Sequence, residues 1–173
     1  RYAISTAGVT LKLWDFSTGV CLCEKQFARK ITSLDISKDA KRIIVGCSDG
    51  SIKNWDLATL KQSNAKEFPK QPIQKIYPIE NEKVLCYTSD YRTENFQSKI
   101  LLWDMRNGEK KSLTTSRMKI EEMIVSSKKY IVAAIEEEDK GSYIKVWERN
   151  SPQNSFSIQG KYTLGITPDE KLL

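Results

Sequence analysis

The stretch that decides the fold runs from residue 31 to residue 57: ITSLDISKDAKRIIVGCSDGSIKNWDL. Short runs of β-branched and other apolar residues alternate in it with polar turns at 37–41 and 48–50. Runs of this kind, bounded by Asp, Gly, Ser and Lys, are typical of β-strands. An Asp-Gly pair between two of them favours a tight hairpin. The stretch therefore predicts three antiparallel strands, the last of which ends at Trp55 and Asp56.

The closing phrase of this stretch occurs four times along the chain. Segments 11–15, 52–56, 100–104 and 144–148 have the sequences LKLWD, IKNWD, ILLWD and IKVWE. Their tryptophans are 41, 48 and 44 residues apart, and the 173-residue chain has no others. A period of about 40–45 residues with four strands per unit is typical of β-propeller blades. We therefore predict an all-β fold built from repeated four-stranded antiparallel sheets.

These repeats resemble those of the WD-repeat (WD-40 type) β-propeller family over nearly the whole chain. The repeat positions that carry the resemblance are Trp14, Asp15, Asp49, Trp55, Asp56, Trp103, Asp104 and Trp147. In the fourth repeat, Glu148 replaces the Asp.

The resemblance implies an incomplete propeller segment of about four blades. Its parts are a blade fragment at 1–27, blades at 31–68, 73–115 and 120–158, and the start of a further blade at 162–173. Propellers have about four to eight blades. We therefore expect the remaining blades to come from the parent chain or from a partner.

The family's hydrogen-bonded tetrad can be matched only in part. It uses a Trp on the third strand, an Asp in the turn before it, a Ser or Thr on the second strand and a His before the first strand. Trp55 and Asp49 match, Cys47 stands near the Ser/Thr position, and Phe27 stands where the His would be. Because the chain has no histidine, the full tetrad cannot form. We expect Trp55 to be heavily buried and Asp49 to be a turn-forming residue, not a ligand contact.

No catalytic or metal-binding constellation stands out in the sequence. Without histidine, neither a Ser-His-Asp nor a Cys-His arrangement can be built, and no Gly-rich phosphate loop is present. Cys21, Cys23, Cys47 and Cys86 lie in strand-like runs and form no CxxC pair. We expect a non-enzymatic protein with no cofactor and no metal, in a reducing cytoplasmic or nuclear compartment. No apolar run approaches the roughly 18 residues that span a membrane, so no membrane insertion is expected.

Surface recognition is the function class that remains. The resemblance implies that the loops between second and third strands, and those leading into first strands, gather on one face of the disc. The candidate protein-binding residues on that face are Arg29, Lys30, Tyr91, Arg92, Phe96, Arg117 and Met118. Aromatic and Arg side chains such as those of the 91–98 insertion are enriched at interface hot spots. The alternative is an insertion that has no partner.

Charge supports a second hypothesis. The chain has a net charge of +6, and residues 24–75 hold eleven Lys/Arg and six Asp/Glu, a net of +5. Such an excess is typical of surfaces that contact RNA, an acidic protein or an anionic surface; the alternative is an ordinary Lys-rich soluble surface. The acidic run 136–139 is either a solvated loop or a docking site for a basic partner. We predict a scaffold subunit of a larger protein assembly; the alternative is an RNA-associated subunit of a ribonucleoprotein complex.

Overall fold

The computed structural model describes residues 1–59, 61–66, 71–80, 82–89, 98–114, 118–126, 129–137, 139–149 and 151–160. These residues form fifteen β-strands: β1 (Tyr2–Ala7), β2 (Thr10–Asp15), β3 (Cys21–Gln26), β4 (Ile31–Ile36), β5 (Arg42–Cys47), β6 (Ile52–Asp56), β7 (Gln62–Lys66), β8 (Ile73–Pro78), β9 (Lys83–Ser89), β10 (Ser98–Asp104), β11 (Lys110–Ser112), β12 (Lys119–Val125), β13 (Tyr130–Glu137), β14 (Gly141–Glu148) and β15 (Ser151–Gln159).

The strands make four antiparallel sheets, each in chain order. Sheet 1 has three strands, β1-β2-β3, and sheet 2 has four, β4-β5-β6-β7. Sheet 3 is β8-β9-β10-β11 and sheet 4 is β12-β13-β14-β15. The all-β prediction is therefore confirmed, including the three strands of the 31–57 stretch and the tight Asp-Gly turn between β5 and β6. Gly50 in that turn has φ 86°, a left-handed conformation that glycine adopts at little cost.

A β-bulge recurs at matched positions of the sheets. In sheets 2, 3 and 4, the first strand in chain order is called the inner strand. Near its start, its pairing with the second strand shifts register, at Ile31/Ser33, Ile73/Lys75 and Ile120/Glu122. In sheets 1, 2 and 4, the pairing of the third strand with the outer strand shifts beside the repeated Trp. Because a bulge increases the local twist, the sheets that share a bulge position are twisted at the same place, as expected for repeats of one structural unit.

Two compact units make up the chain, one formed by residues 1–88 and 101–111, the other by 89–100 and 112–173. The first unit holds two apolar clusters. One lies between sheets 1 and 2 and contains Leu11, Phe27, Ile31, Ile43, Val45 and Cys47. The other contains Ile44, Ile52, Ile73, Ile76, Val84, Cys86, Trp103 and Met105. A hydrogen bond from the Ile76 amide to Ser33 Oγ (3.0 Å) also joins β8 to β4.

The second unit contains sheet 4. Three consecutive residues of β13 are buried, Ile131, Val132 and Ala133, and so are Tyr143, Val146 and Trp147 of β14. Burial of consecutive residues is expected for strands that pack on both faces. Trp147 is 1% exposed. In the described part of the chain, no helix is long and apolar enough to cross a membrane.

The outer strands β3 and β7 span Cys21–Gln26 and Gln62–Lys66. β13 extends into the acidic run as far as Glu137. The predicted start of a further blade at 162–173 lies outside the described residues.

Candidate functional site

In the first unit, the loop that leads into β4 meets the turn between β5 and β6. The amide of Ser48 donates a hydrogen bond to the Lys30 carbonyl (2.9 Å), and Arg29 Nε lies 3.7 Å from Asp49 Oδ2. The side chains of Arg29 and Lys30 are exposed. Two predicted site residues therefore lie beside the turn that holds Asp49. We call Arg29, Lys30 and the 48–51 turn the loop face.

Asp49 has a structural role in this turn. Its Oδ1 accepts hydrogen bonds from the amide and the hydroxyl of Ser51 (3.0 and 2.7 Å). Partial burial raises the pKa of Asp49, but the two Ser51 hydrogen bonds and the charge of Arg29 outweigh it, so the net pKa is lowered. The carboxylate therefore closes the turn and orients Arg29.

In the second unit, the residue before β12 is also bound to a loop between second and third strands, here the loop that precedes β10 of sheet 3. The amide of Ser98 donates to the Met118 carbonyl (3.1 Å), and the Ser98 and Ser89 hydroxyls are 3.1 Å apart. Ser98 Oγ also accepts a longer hydrogen bond from the Ile120 amide (3.4 Å). Ser89 and Ser98 flank the insertion, so both of its ends are anchored beside the loop that leads into β12.

The structure places the other predicted site residues as follows. Met118 is 2% exposed, so its prediction as a surface contact is wrong: its carbonyl binds Ser98 and its side chain packs inward. Tyr91, Arg92, Phe96 and Arg117 lie outside the described residues.

An aromatic contact stands where the sequence lacks the family's histidine. The Phe27 ring is buried, with its centroid 5.8 Å from that of Trp55, and Lys53 Nζ lies 4.9 Å from the Phe27 ring. The prediction that Trp55 is heavily buried is wrong, because its side chain is of intermediate exposure. Packing between Phe27 and Trp55 replaces the hydrogen bond that a histidine would make.

The tryptophan hydrogen bond is present in sheet 1 and missing in sheet 2. Trp14 Nε1 donates to Ser5 Oγ (2.8 Å). In sheet 1, Trp14 pairs with Ala3, and Ser5 lies two residues further along β1. In sheet 2, Trp55 pairs with Ile43, so the equivalent position on β5 is Val45. Val45 cannot accept a hydrogen bond, and Trp55 Nε1 is buried without a partner among the described residues. The assignment of Cys47 to the Ser/Thr position is therefore wrong by two residues.

The comparisons with known proteins are consistent with this repeat geometry. No family model matches the chain. It is 28% identical over 113 residues to rat WD repeat-containing protein 18, covering 62% of this chain and 26% of the relative. It is 29% identical over 125 residues to the mouse protein, covering 69% and 28%. The solved structure of U3-55K aligns with a TM-score of 0.70 at 13% identity, over 93% of this chain and 49% of that one.

The chain is thus similar to WD repeat proteins in sequence and to WD40 propellers in fold. The RRP9 WD40 repeats also match, with a TM-score of 0.68 at 14% identity, over 92% of this chain and 48% of that one. At these identities the structural matches show the fold alone. The chain spans about a quarter of the curated relatives and about half of the solved propeller chains that it matches.

The repeated Asp of the WD40 phrase closes the turn to the outer strand. Asp15 Oδ1 accepts from the amides of Ser17 and Thr18 (2.7 and 3.2 Å), and Asp56 Oδ1 accepts from the amide and hydroxyl of Thr59 (2.7 and 2.8 Å). In the third repeat, the partner of Asp104 is Arg106, whose Nη2 lies 2.7 Å from Oδ2. The repeated Asp is therefore a structural residue.

The excess positive charge of residues 24–75 is spread over the chain. Arg42 pairs with Glu82 (2.6 Å) and Lys38 lies near Glu80 (3.7 Å). Lys30 and Lys41 are exposed, but they occupy opposite ends of sheet 2, because one precedes β4 and the other follows it. The described cations therefore do not form one basic patch.

A valine-to-threonine pair tests the missing tryptophan hydrogen bond. We expect Val45→Thr to cost about 1 kcal/mol less than Val132→Thr, because the new hydroxyl can accept from Trp55 Nε1. Val132 is also buried, with Val146 as its cross-strand partner, and therefore serves as the matched control. The measurement is the free energy of unfolding in urea. Equal costs for the two variants would show that Val45 does not face the indole.

Acid should weaken the turn of the third repeat. The hydrogen bond from the Arg106 side chain lowers the pKa of Asp104 from 3.8 to about 2. The pKa of Asp104 is lower in the folded than in the unfolded protein, so its ionised carboxylate stabilises the fold. This contribution to the unfolding free energy is present above pH 3.8 and is lost as the pH falls through about 2. We expect Asp104→Asn to flatten the fall of the unfolding free energy over this window. An unchanged pH profile would contradict the assignment.

Proposed function

We propose that this chain is a non-enzymatic scaffold, a subunit of a larger multiprotein assembly that binds protein partners through its loop face and its insertion. WD40 proteins in general act as interaction scaffolds. The observation that carries the proposal is that a backbone hydrogen bond ties the residue before an inner strand to a loop between second and third strands, within sheet 2 at Lys30–Ser48 and from sheet 3 to the start of sheet 4 at Met118–Ser98. Such bonds hold the loop ends firmly while leaving the loop side chains available to a partner.

The proposed contact residues are Arg29, Lys30, Tyr91, Arg92, Phe96 and Arg117. Arg29 and Lys30 are exposed beside a turn that is closed by Asp49. The insertion adds an Arg and two aromatic side chains, the types that contribute most to interface hot spots. The residues that supply binding energy are therefore expected in the insertion, with the loop-face cations adding charge complementarity.

We also propose a reducing intracellular compartment. The four cysteines are all free, and Cys47 and Cys86 are buried within sheets. Burial raises the pKa of Cys86 to about 12, so this thiol stays protonated and unreactive. Cys21 and Cys23 lie on the outer strand β3, where an oxidising compartment would expose them to disulfide exchange.

An RNA-associated role is the second candidate, because residues 24–75 carry a net charge of +5. Affinity capture with the intact protein, at low and high salt and with and without nuclease, separates the two functions. Phosphate binding weakens steeply with salt, whereas an aromatic-anchored protein interface does not. We expect protein partners to stay bound through high salt and nuclease. Partners that are lost with nuclease would support the RNA-associated role instead.

A further inference from the structure

β15 differs from the other outer strands of the chain. Exposed edges are normally protected against pairing by charges, by shortness, by proline or by β-bulges. β3 contains Glu24 and Lys25, β7 ends on Lys66, and β11 has three residues, two of them lysines. β15 has nine residues, SPQNSFSIQ, without one charge. Its protective features, Pro152 and a register shift beside Glu148, are confined to its first residues, so the edge from Ser155 to Gln159 is unprotected.

The backbone of β15 is oriented to accept a further strand. The amide of Gly160 donates to the Ser142 carbonyl (3.0 Å). This bond determines which residues of β15 form hydrogen bonds with β14 and which face away from it. In an antiparallel pair, bonded and non-bonded residues alternate, so Phe156 and Ile158 bond to β14. The N–H and C=O groups of Ser155 and Ser157 consequently point away from the sheet, where no described strand pairs with them.

Apolar side chains accompany this open edge. Phe156 and Ile158 are 48% and 45% exposed and lie on the same side of the strand. Phe156 borders a groove of about 320 Å³. The groove is lined by Tyr130, Val146, Glu148, Asn154, Ser155 and Phe156. A strand added along β15 could place an apolar side chain beside Phe156, on the face of the sheet that carries this groove.

The far end of β15 carries a negative charge. The Gln159 side-chain amide donates to the Lys140 carbonyl (2.9 Å), which ties the β13–β14 turn to the end of β15. In that turn, Glu137 is buried and bonded to Lys140 (2.6 Å). Asp139 is exposed and has no ion pair with any described residue. A cation on a partner strand would complement Asp139 there.

We propose that β15 is a second protein-binding site, which takes up an extended segment of a partner protein as an added antiparallel strand. The segment carries Lys or Arg at the end beside Asp139 and apolar side chains at alternate positions beyond it. Main-chain hydrogen bonds to Ser155 and Ser157 supply the affinity, and the groove beside Phe156 supplies the specificity. The site shares with the proposed function only the premise that partners are proteins.

The test uses the intact protein and a designed, fluorescein-labelled nonapeptide. The peptide has two lysines followed by alternating valine and threonine, because its first residues lie opposite Gln159 in an antiparallel pair. Ser157→Pro removes one outward N–H without touching a bond to β14, since proline is tolerated on the solvent side of an edge strand. Ser157→Ala is the matched control, because it keeps the N–H. Circular dichroism and thermal unfolding check the fold of each variant.

We expect fluorescence anisotropy to give micromolar binding of the peptide by the wild type and by Ser157→Ala. Ser157→Pro should weaken it about tenfold, the equivalent of one hydrogen bond. Asp139→Asn should weaken it about threefold at low salt, as for an exposed ion pair. A peptide N-methylated at alternate amides should not bind, which tests the site even if the proline variant fails to fold.

Two results would overturn the proposal. The first is equal binding of the methylated peptide, or no binding of the unmethylated one. The second is concentration-dependent self-association in sedimentation that Ser157→Pro abolishes, because the occupant would then be a second copy of the chain. Arg29→Ala, a loop-face variant, should bind the peptide like the wild type. Failure of the β15 site is thereby distinguished from failure of the loop face.

Discussion

Trp103→Ala is expected to destabilise the protein by about 3–5 kcal/mol, the range for removing a large aromatic side chain from a core. Trp103 is 0% exposed and packs in the cluster that contains Ile73, Ile76 and Met105. Lys110 Nζ also lies 4.7 Å from its ring. The cost combines the lost burial of the indole with the cavity that rigid neighbouring strands cannot refill.

The measurement is urea unfolding of the intact protein, followed by circular dichroism. Trp14→Ala is the matched control, since it removes the equivalent residue of the first repeat. The Trp14 side chain is of intermediate exposure, and its Nε1 binds Ser5 (2.8 Å). We expect a clearly smaller loss for Trp14→Ala. Equal losses would show that the four tryptophans stabilise their sheets alike, whatever their burial.

Gly46→Ala is expected to cost about 1–3 kcal/mol through overpacking. A Cβ at Gly46 would lie 2.6 Å from Ile73 Cγ2 and 2.8 Å from Ile76 Cδ1. These contacts are shorter than van der Waals separations, so β5 and β8 would have to move apart. The glycine thus permits the close approach of two strands from different sheets of the first unit.

A double-mutant cycle with Ile73→Ala tests the cause. Removing the Ile73 side chain alone leaves a cavity and costs about 2–5 kcal/mol. In the double variant, the new methyl group occupies part of that cavity, so the loss should be smaller than the sum of the two single losses. Additive losses would mean that Gly46→Ala acts through something other than its contact with Ile73.

The strands could be predicted because their signals are local. The Asp-Gly turn at 49–50 and the apolar runs on each side define β5 and β6 without any knowledge of the neighbouring sheets. The repeated Trp-Asp phrase then identifies each third strand, and the period identifies the family. This information is contained in short stretches of sequence, where turn chemistry and side-chain alternation decide the structure.

The side-chain contacts of the site could not be predicted in the same way. The sequence places Cys47 near the Ser/Thr position, but the pairing of Ile43 with Trp55 makes Val45 the counterpart of Ser5. Met118 precedes an inner strand as Lys30 does, yet one side chain is buried and the other exposed. Such differences depend on packing between distant segments, which a single sequence does not show.

The most direct test of the scaffold proposal is the affinity of the intact protein for a partner captured at high salt after nuclease treatment. Arg92→Ala and Phe96→Ala alter the insertion, and Lys30→Glu alters the loop face. Lys41→Glu, at the opposite end of sheet 2, makes the same charge change as a control. The proposal predicts that the three site variants weaken binding by tenfold or more, about 1.4 kcal/mol, while Lys41→Glu binds like the wild type. Unchanged binding by Arg92→Ala and Phe96→Ala would contradict it.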